Sequence, residues 1–270
     1  MASFKFVCEV CSNSSDQLLK PKMSHYLRCP SCGNLGRYWH NQFDWDYKSP
    51  EKAEVCLVVN CFWPDRLSKF LEYFKTFEAG VSYDLVFVHN VFDRCDVINR
   101  QARTDSQVNE VRRHINNLDI KSKTLIERDN VGEDLGASRH VFYLLCDNYK
   151  YFFFINEVSE IRCDNWLKKF IDVLSNDKHI VACGPKVIRK SDNKFKYIIC
   201  STYWGLDSNF GKSLIWPPPT NRAESKAQEM QLLWPQAKAL GYNIAQVGSG
   251  DDILHYSNVP ATSTVGEGIY

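Results

Sequence analysis

The sequence predicts an α/β protein: one mainly parallel sheet with helices on both faces, preceded by a small zinc ribbon. Three observations carry this. Short apolar runs rich in β-branched residues recur, as in strands covered on both faces. Amphipathic stretches with a period near 3.6 separate them, which is the alternation that builds a parallel sheet. Ahead of these lie two tight cysteine pairs, Cys8-x2-Cys11 and Cys29-x2-Cys32, 17 residues apart, within the spacing of a four-cysteine zinc site.

Each cysteine pair is expected to make a knuckle presenting two thiolates, and two knuckles close a tetrahedral site around Zn2+. Pro30 lies inside the second knuckle and Gly33 follows its last ligand. The segment is too small to fold on apolar burial, so metal would supply much of its stability. A closed four-sulfur site has no open position, which makes a structural role expected and a catalytic one not. The other seven cysteines, among them Cys56 and Cys183, are scattered, several within apolar runs, as reduced core thiols are. Residues 1–38 are therefore read as the ribbon and 39–54, with Tyr38 and Trp39 at its start and Phe43 and Trp45 within it, as an aromatic linker packing on a neighbouring surface.

The main domain is expected over 55–256. VCLVVNCF, from Val55, is a buried strand. Pro64 and Asp65 open a helix with the stripe Leu67, Phe70, Leu71, Phe74 and Phe77. YDLVFVHN is a second strand; Val108, Val111, Ile115 and Leu118 mark a helix; KTLIER is a third strand. VGEDLGASRHVFYLLCDN carries a helix, and YKYFFFIN is the next strand. Asp164 is expected to cap a helix burying Trp166, Phe170, Ile171 and Leu174. HIVACGP and KYIICSTYW are later strands. WPPPTN cannot continue either regular structure, because proline lacks a donor. A helix over about 223–240 follows, interrupted by Pro235 and ended by Gly241, and residues 257–270 are read as a loosely held tail.

Composition narrows the function. Lys+Arg total 33 against Asp+Glu 32, a net charge of +1 that disfavours a nucleic-acid partner. The first residues lack a signal-peptide run, and no stretch approaches the roughly 20 apolar residues of a membrane span, so a cytoplasmic protein is expected. Neither G-x-x-x-x-G-K nor G-x-G-x-x-G occurs, which argues against kinases, GTPases and nicotinamide enzymes. Ligands of an open parallel sheet bind beyond the carboxyl ends of its strands. The residues there are Asn60 and Cys61, His89 and Asn90, Arg128 to Gly132, and Asn156 with Glu157.

The run VCLVVNCFWPDRLSKFLEYF, then DLVFVHN, then ERDNVGEDLGASRHVFYLLCDNYKYFFFINEVSE resembles the nucleotide-binding half of GT-A glycosyltransferases, especially small rhamnan-synthesis-like and family 2-like enzymes. Asn130, Gly132, Asp134, Gly136 and Ala137 match the Asn-x-Gly element that the family places before the helix preceding its central strand. The resemblance implies a GT-A-like sheet and transfer of a sugar from a nucleoside-diphosphate donor to a hydroxyl of a glycan or glycoconjugate. It places Asn60, Asn90, Asn130, Gly132, Asp134, Asn156 and Glu157 at the donor. Where the family ends its strand with an Asp-x-Asp-like metal grip, this chain reads Asn156-Glu157-Val158-Ser159-Glu160. Mn2+ or Mg2+ held by Glu157 or Glu160 is one expectation. A metal-free site using Arg128, Arg139 or Lys186 is the other.

For the base that deprotonates an acceptor, the candidates are Asp207, Glu224 and Glu229, with Asp207 preferred and Glu229 next, since similar proteins run an aromatic-rich strand to an acidic residue near the acceptor. Each also reads as a solvated carboxylate. Tyr203, Trp204 and Trp216 can stack on a sugar or pack a core, Trp216 being the better contact beside three prolines. A catalytically silent GT-A-like module tethered through its ribbon is the alternative function, and a nucleotidyltransferase a third.

Overall fold

The computed structural model describes residues 2–7, 14–19, 24–28, 35–40, 53–92, 105–120, 123–129, 133–184, 187–188, 198–199, 203–216, 233–248 and 252–256. Two antiparallel hairpins open the chain. β1 (Ala2–Val7) pairs β2 (Ser14–Leu19), and β3 (Ser24–Arg28) pairs β4 (Leu35–His40). Cys8 and Cys11 fall between the strands of the first hairpin, Cys29 and Cys32 between those of the second. All four lie outside the described residues.

The main domain alternates as expected: β5 (Val55–Cys61), α1 (Pro64–Thr76), β6 (Asp84–Phe92), α2 (Asp105–Asn116), β7 (Lys123–Asp129), α3 (Glu133–Leu145) and β8 (Tyr151–Asn156). Then come β9 (Ser159–Ile161), α4 (Trp166–Asn176), β10 (Ile180–Gly184), the short β11 (Val187–Ile188) and β12 (Ile198–Ile199), and β13 (Tyr203–Asp207). The chain closes with α5 (Ser208–Ser213), α6 (Trp234–Ala239), β14 (Asn243–Gln246) and β15 (Leu254–Tyr256). Nine strands form one sheet in the order β14-β10-β13-β8-β5-β6-β7-β4-β3. β8, β5, β6 and β7 are mutually parallel. β13 runs antiparallel between β8 and β10, and β14 is parallel to β10. This is an α/β, Rossmann-like architecture.

The chain steps outward from β5 through β6 to β7, then returns to the other side of β5 with β8. The junction of β5 and β8 is therefore a topological switch point. Every residue of β5 is buried, and its alternate side chains enter two cores. Val55, Leu57 and Val59 join α1, α2 and α4, while Cys56 and Val58 join α3, α5 and α6. This double burial is why the strand reads as one apolar run rather than an alternating one. Burial pushes the thiols of Cys56 and Cys183 up, so both are inert packing groups.

Several local expectations are corrected. β4 pairs antiparallel with β7, Trp39 opposite Glu127 and His40 opposite Ile126, so strand continues two residues into the expected 39–54 linker. The pairing covers β7, which would otherwise expose a row of unpaired backbone groups. Asp164 does not cap α4; its Oδ1 accepts from Glu78 N at 2.9 Å, and Asn165, in the left-handed region at φ 57°, takes the cap position. Pro235 sits in the first turn of α6, where its missing N–H costs nothing. Gly241, at φ 80°, follows that helix as expected. Residues 217–232, with Glu224 and Glu229, lie outside the described residues.

Trp216 is not a surface contact. It is 4% exposed, stacks on Phe142 at 5.3 Å between ring centroids, and donates Nε1–H to Gly211 O at 3.0 Å. Tyr203 and Trp204 are core residues as well, Trp204 lying 4.6 Å from Phe154 between centroids. Replacement Trp216→Ala is expected to lower stability by about 3–5 kcal/mol in urea melts, through lost packing and an orphaned Gly211 carbonyl.

Candidate functional site

Side-chain parity decides what gathers at the carboxyl ends of the parallel strands. On the α3 face, the apolar ladder Cys56, Val58; Val86, Val88; Ile126; Phe152, Phe154 is followed on each strand by one polar residue. These are Asn60, Asn90, Arg128 and Asn156, all buried. Asn60 and Asn156 are direct neighbours in the β5–β8 register, and Asn90 is paired with Arg128 between β6 and β7. The first turn of α3 brings Asp134 over the same place.

Hydrogen bonds tie the group together. Asn60 Nδ2 donates to Asp134 O at 3.3 Å and lies 3.5 Å from Ser138 Oγ. Asn156 Nδ2 donates to Asp134 Oδ2 at 2.9 Å, and Ser159 Oγ donates to Asn156 Oδ1 at 3.3 Å. Glu157 N donates to Asn60 O at 3.0 Å, extending the parallel ladder one residue past β8. Arg128 Nη1 donates to Asn90 Oδ1 at 2.8 Å. Asn60 is 2% exposed, and its Oδ1 has no hydrogen-bond partner among the described residues.

Glu157 closes the rim on the side of α1. Its Oε1 accepts from Trp63 N, the cap of α1, at 3.4 Å. Burial pushes its carboxyl up to about 7, and the Asp134 carboxylate adds to the push; its own backbone N–H, Arg66 and the Trp63 N–H act the other way. The Asp134 carboxylate on α3 thus acts electrostatically on the Glu157 carboxyl at the end of β8.

The opposite parity builds a second polar cluster, on the α1/α2 face, that sequence reading missed apart from His89. Glu127 Oε1 lies 2.9 Å from His89 Nδ1 and accepts from Arg112 Nε at 2.7 Å, and Arg112 Nη2 donates to Oε2 at 3.0 Å. Burial alone would raise the Glu127 carboxyl, but the hydrogen bonds from His89 and Arg112 outweigh it and hold it below its ordinary value. The available signal was a lone Glu within KTLIER, a charge that a covered strand does not carry without a partner.

Of the expected site residues, Asn60, Asn90, Asp134, Asn156 and Glu157 are brought to one rim, while Asn130 and Gly132 lie outside the described residues. Asp207 is not brought there. β13 is antiparallel to β8, so Tyr203 pairs with Ile155 at the rim and Asp207 pairs with Tyr151 at the far end. Five residue steps of strand place Asp207 roughly 16 Å from the rim. It caps α5, its Oδ1 accepting from Phe210 N at 3.0 Å. Arg139 is buried on α3, its guanidinium 5.5 Å from the Tyr143 ring centroid, and Lys186 lies outside the described residues.

No protein-family model and no curated protein matches the chain. Among solved structures, it is similar to a mannosyltransferase from Pyrobaculum calidifontis in complex with GDP-Man and Mn2+, at 13% identity and a TM-score of 0.49. That match covers 80% of this chain and 59% of the mannosyltransferase, so the chain spans well under two thirds of it. A 4-diphosphocytidyl-2C-methyl-D-erythritol synthase from Anaerococcus prevotii matches at 9% identity and a TM-score of 0.47, over 75% of this chain and 92% of that one. A CMP:2-keto-3-deoxy-manno-octonic acid synthetase complexed with CTP matches at 9% identity and a TM-score of 0.44, over 73% and 90%. Among the described residues, no helix is long and apolar enough to cross a membrane.

The raised Glu157 carboxyl makes a signed prediction. Its stability contribution is full below the unfolded value near 4.3 and is lost as pH rises through about 7. In chelator-treated protein, the wild type should lose about 2–3 kcal/mol relative to Glu157→Gln between pH 5 and pH 8, read as the change in their difference in urea melts.

Proposed function

We propose that the chain is a transferase acting on nucleotide sugars, and specifically a glycosyltransferase that moves the sugar to a hydroxyl of a glycan or glycoconjugate. The observation that supports this reading is the register of Asn60 against Asn156 at the switch point, with Asp134 and Glu157 closing on the same spot. An open α/β sheet takes its ligand at that crevice. A rim of amides, carboxylates and a buried Arg128 offers the mixed donors and acceptors that base, ribose and phosphate require. Asn60, Asn90, Asp134, Asn156 and Glu157 would line the donor site together with Asn130 and Gly132.

Glycosyl transfer needs the leaving diphosphate neutralised and, for inversion, a carboxylate to take the acceptor proton. A divalent cation among the rim oxygens would supply the first. Asp207 is too distant for the second, and Glu229 and Glu224 are the remaining candidates.

The alternative, a silent binding module of the same architecture, draws on one feature: Asn156 stands where a donor-site carboxylate is expected, and its amide is engaged at both ends by Asp134 and Ser159. One experiment separates the two. UDP-, GDP-, CMP- and dTDP-sugars are screened by thermal shift with and without Mn2+, followed by donor hydrolysis. Stabilisation of several degrees by one nucleotide class, with hydrolysis, is the expected result. No shift with any donor, or stabilisation without turnover, rejects the transferase and favours the silent module.

We also propose that Cys8, Cys11, Cys29 and Cys32 hold one structural Zn2+, since each pair joins the strands of a hairpin as a knuckle would. Elemental analysis should find one equivalent of zinc, reduced in Cys29→Ser together with thermal stability; a full equivalent in that variant would reject the ligand set.

A further inference from the structure

α1, α2 and α4 each keep exposed residues along one side, but the middle of α3 has no solvent face. Every residue from Leu135 to Phe142 is buried, Arg139 and His140 among them at 3% and 4% exposed. The sheet accounts for one side of the helix only. Leu135, Ser138, Phe142 and Leu145 follow the spacing of a single helical stripe, and they meet the core over β5, β6 and β8. Gly136 and His140 fall on the opposite side, with Arg139 at its flank, so a second layer covers them. The described strand that lies against α3 from outside the large sheet is β1.

The two hairpins are held differently. β1 belongs with β2 to a separate two-stranded sheet, so the ladder of the large sheet does not fix its place. β4 of the second hairpin is bonded to β7, a strand of the large sheet. One hairpin therefore rests on a helix while the other is anchored to the sheet. Cys8 and Cys11 fall between the strands of the resting hairpin, Cys29 and Cys32 between those of the anchored one. An isolated two-stranded hairpin is marginal in water, so a metal shared by both would decide whether β1 stays seated. What lies beneath is the rim. The first turn of α3 takes Asn60 Nδ2 on the Asp134 carbonyl and Asn156 Nδ2 on the Asp134 carboxylate.

We propose that the four-cysteine centre is a clasp. Zinc bound by Cys8, Cys11, Cys29 and Cys32 fastens the first hairpin over the outer face of α3, and loss of the ion frees that helix together with the Asp134 turn above the switch point. The clasp rests on the zinc reading given above and adds a target to it: metal occupancy governs the order of α3. It makes no use of the transferase reading.

Amide hydrogen exchange read by mass spectrometry tests it. Full-length protein is compared as isolated, after chelation and dialysis, and after zinc is restored, with zinc measured in each sample. Peptides from α3 (Glu133–Leu145) report the clasp, and those from α4 (Trp166–Asn176), in the core on the other face of the sheet, are the control. With zinc bound, α3 should be protected to the level of α4. Removing zinc is expected to speed α3 exchange roughly tenfold while α4 changes less than about twofold, and restoring it should reverse the change. Cys29→Ser should match the chelated state; if that variant does not fold, the wild-type series decides alone. Fast exchange of α3 in zinc-loaded protein overturns the covered face. Zinc removed with α3 unmoved, or with α3 and α4 loosened together, overturns the clasp and leaves the zinc site standing. Protein that holds no zinc as isolated and takes up none rejects the ligand set and the clasp with it.

Discussion

The rest of the structure depends on the parallel pairing of β5 with β6 on one side and β8 on the other. Because β5 is central, both its faces must be apolar for almost its full length, and polar groups are tolerated only where the strand emerges. Asn60 is that point of emergence. Its neighbours in register then come into place without any separate device: Asn156 from β8, and beyond Val88 the Asn90–Arg128 pair of β6 and β7. α3, packed on this face through Leu135, Val141 and Phe142, sets its first turn, with Asp134, directly over them. The candidate site is thus a by-product of how the core is closed.

Strand alternation also sorts charge into two separate groups. Even-numbered strand ends face α3 and form the open-ended set with Asn60, Asp134 and Asn156. Odd-numbered ends, His89 and Glu127, face α2 and are satisfied by Arg112. The second set is a closed network in which each charge has a partner, and it fastens α2 to β6 and β7 at the edge of the rim. Removing one partner from such a buried network is costly, because it leaves a charge uncompensated.

Much of this was legible in the residues. Apolar runs at 55–61 and 151–156 showed buried strands, and the polar residues ending them showed the rim. One error is a matter of direction. A strand's sequence reports its burial and not its orientation, so Asp207, at the end of an aromatic strand, was placed at the rim when β13 carries it away. Trp216 misled in a similar way: three following prolines suggested a surface loop, while its indole was drawn into the aromatic cluster of Phe142 and Trp204. Asp164 is a helix-cap residue by type, yet Glu78 N competes for its carboxylate. Neither the Glu127 network nor the pairing of β4 with β7 could be read locally, since both join segments far apart in the chain.

That last pairing bears on how the molecule is divided. The second hairpin is stitched to the flank of the large sheet through β4 and β7, and β1 lies beside α3. Clipping away the first forty residues would therefore not yield a tidy smaller domain. It would strip β7 of its outer neighbour and leave a bare ladder of amides and carbonyls ready to zip onto another copy. Whatever else the cysteine-bearing segment does, it serves as the selvedge that keeps this fabric from fraying.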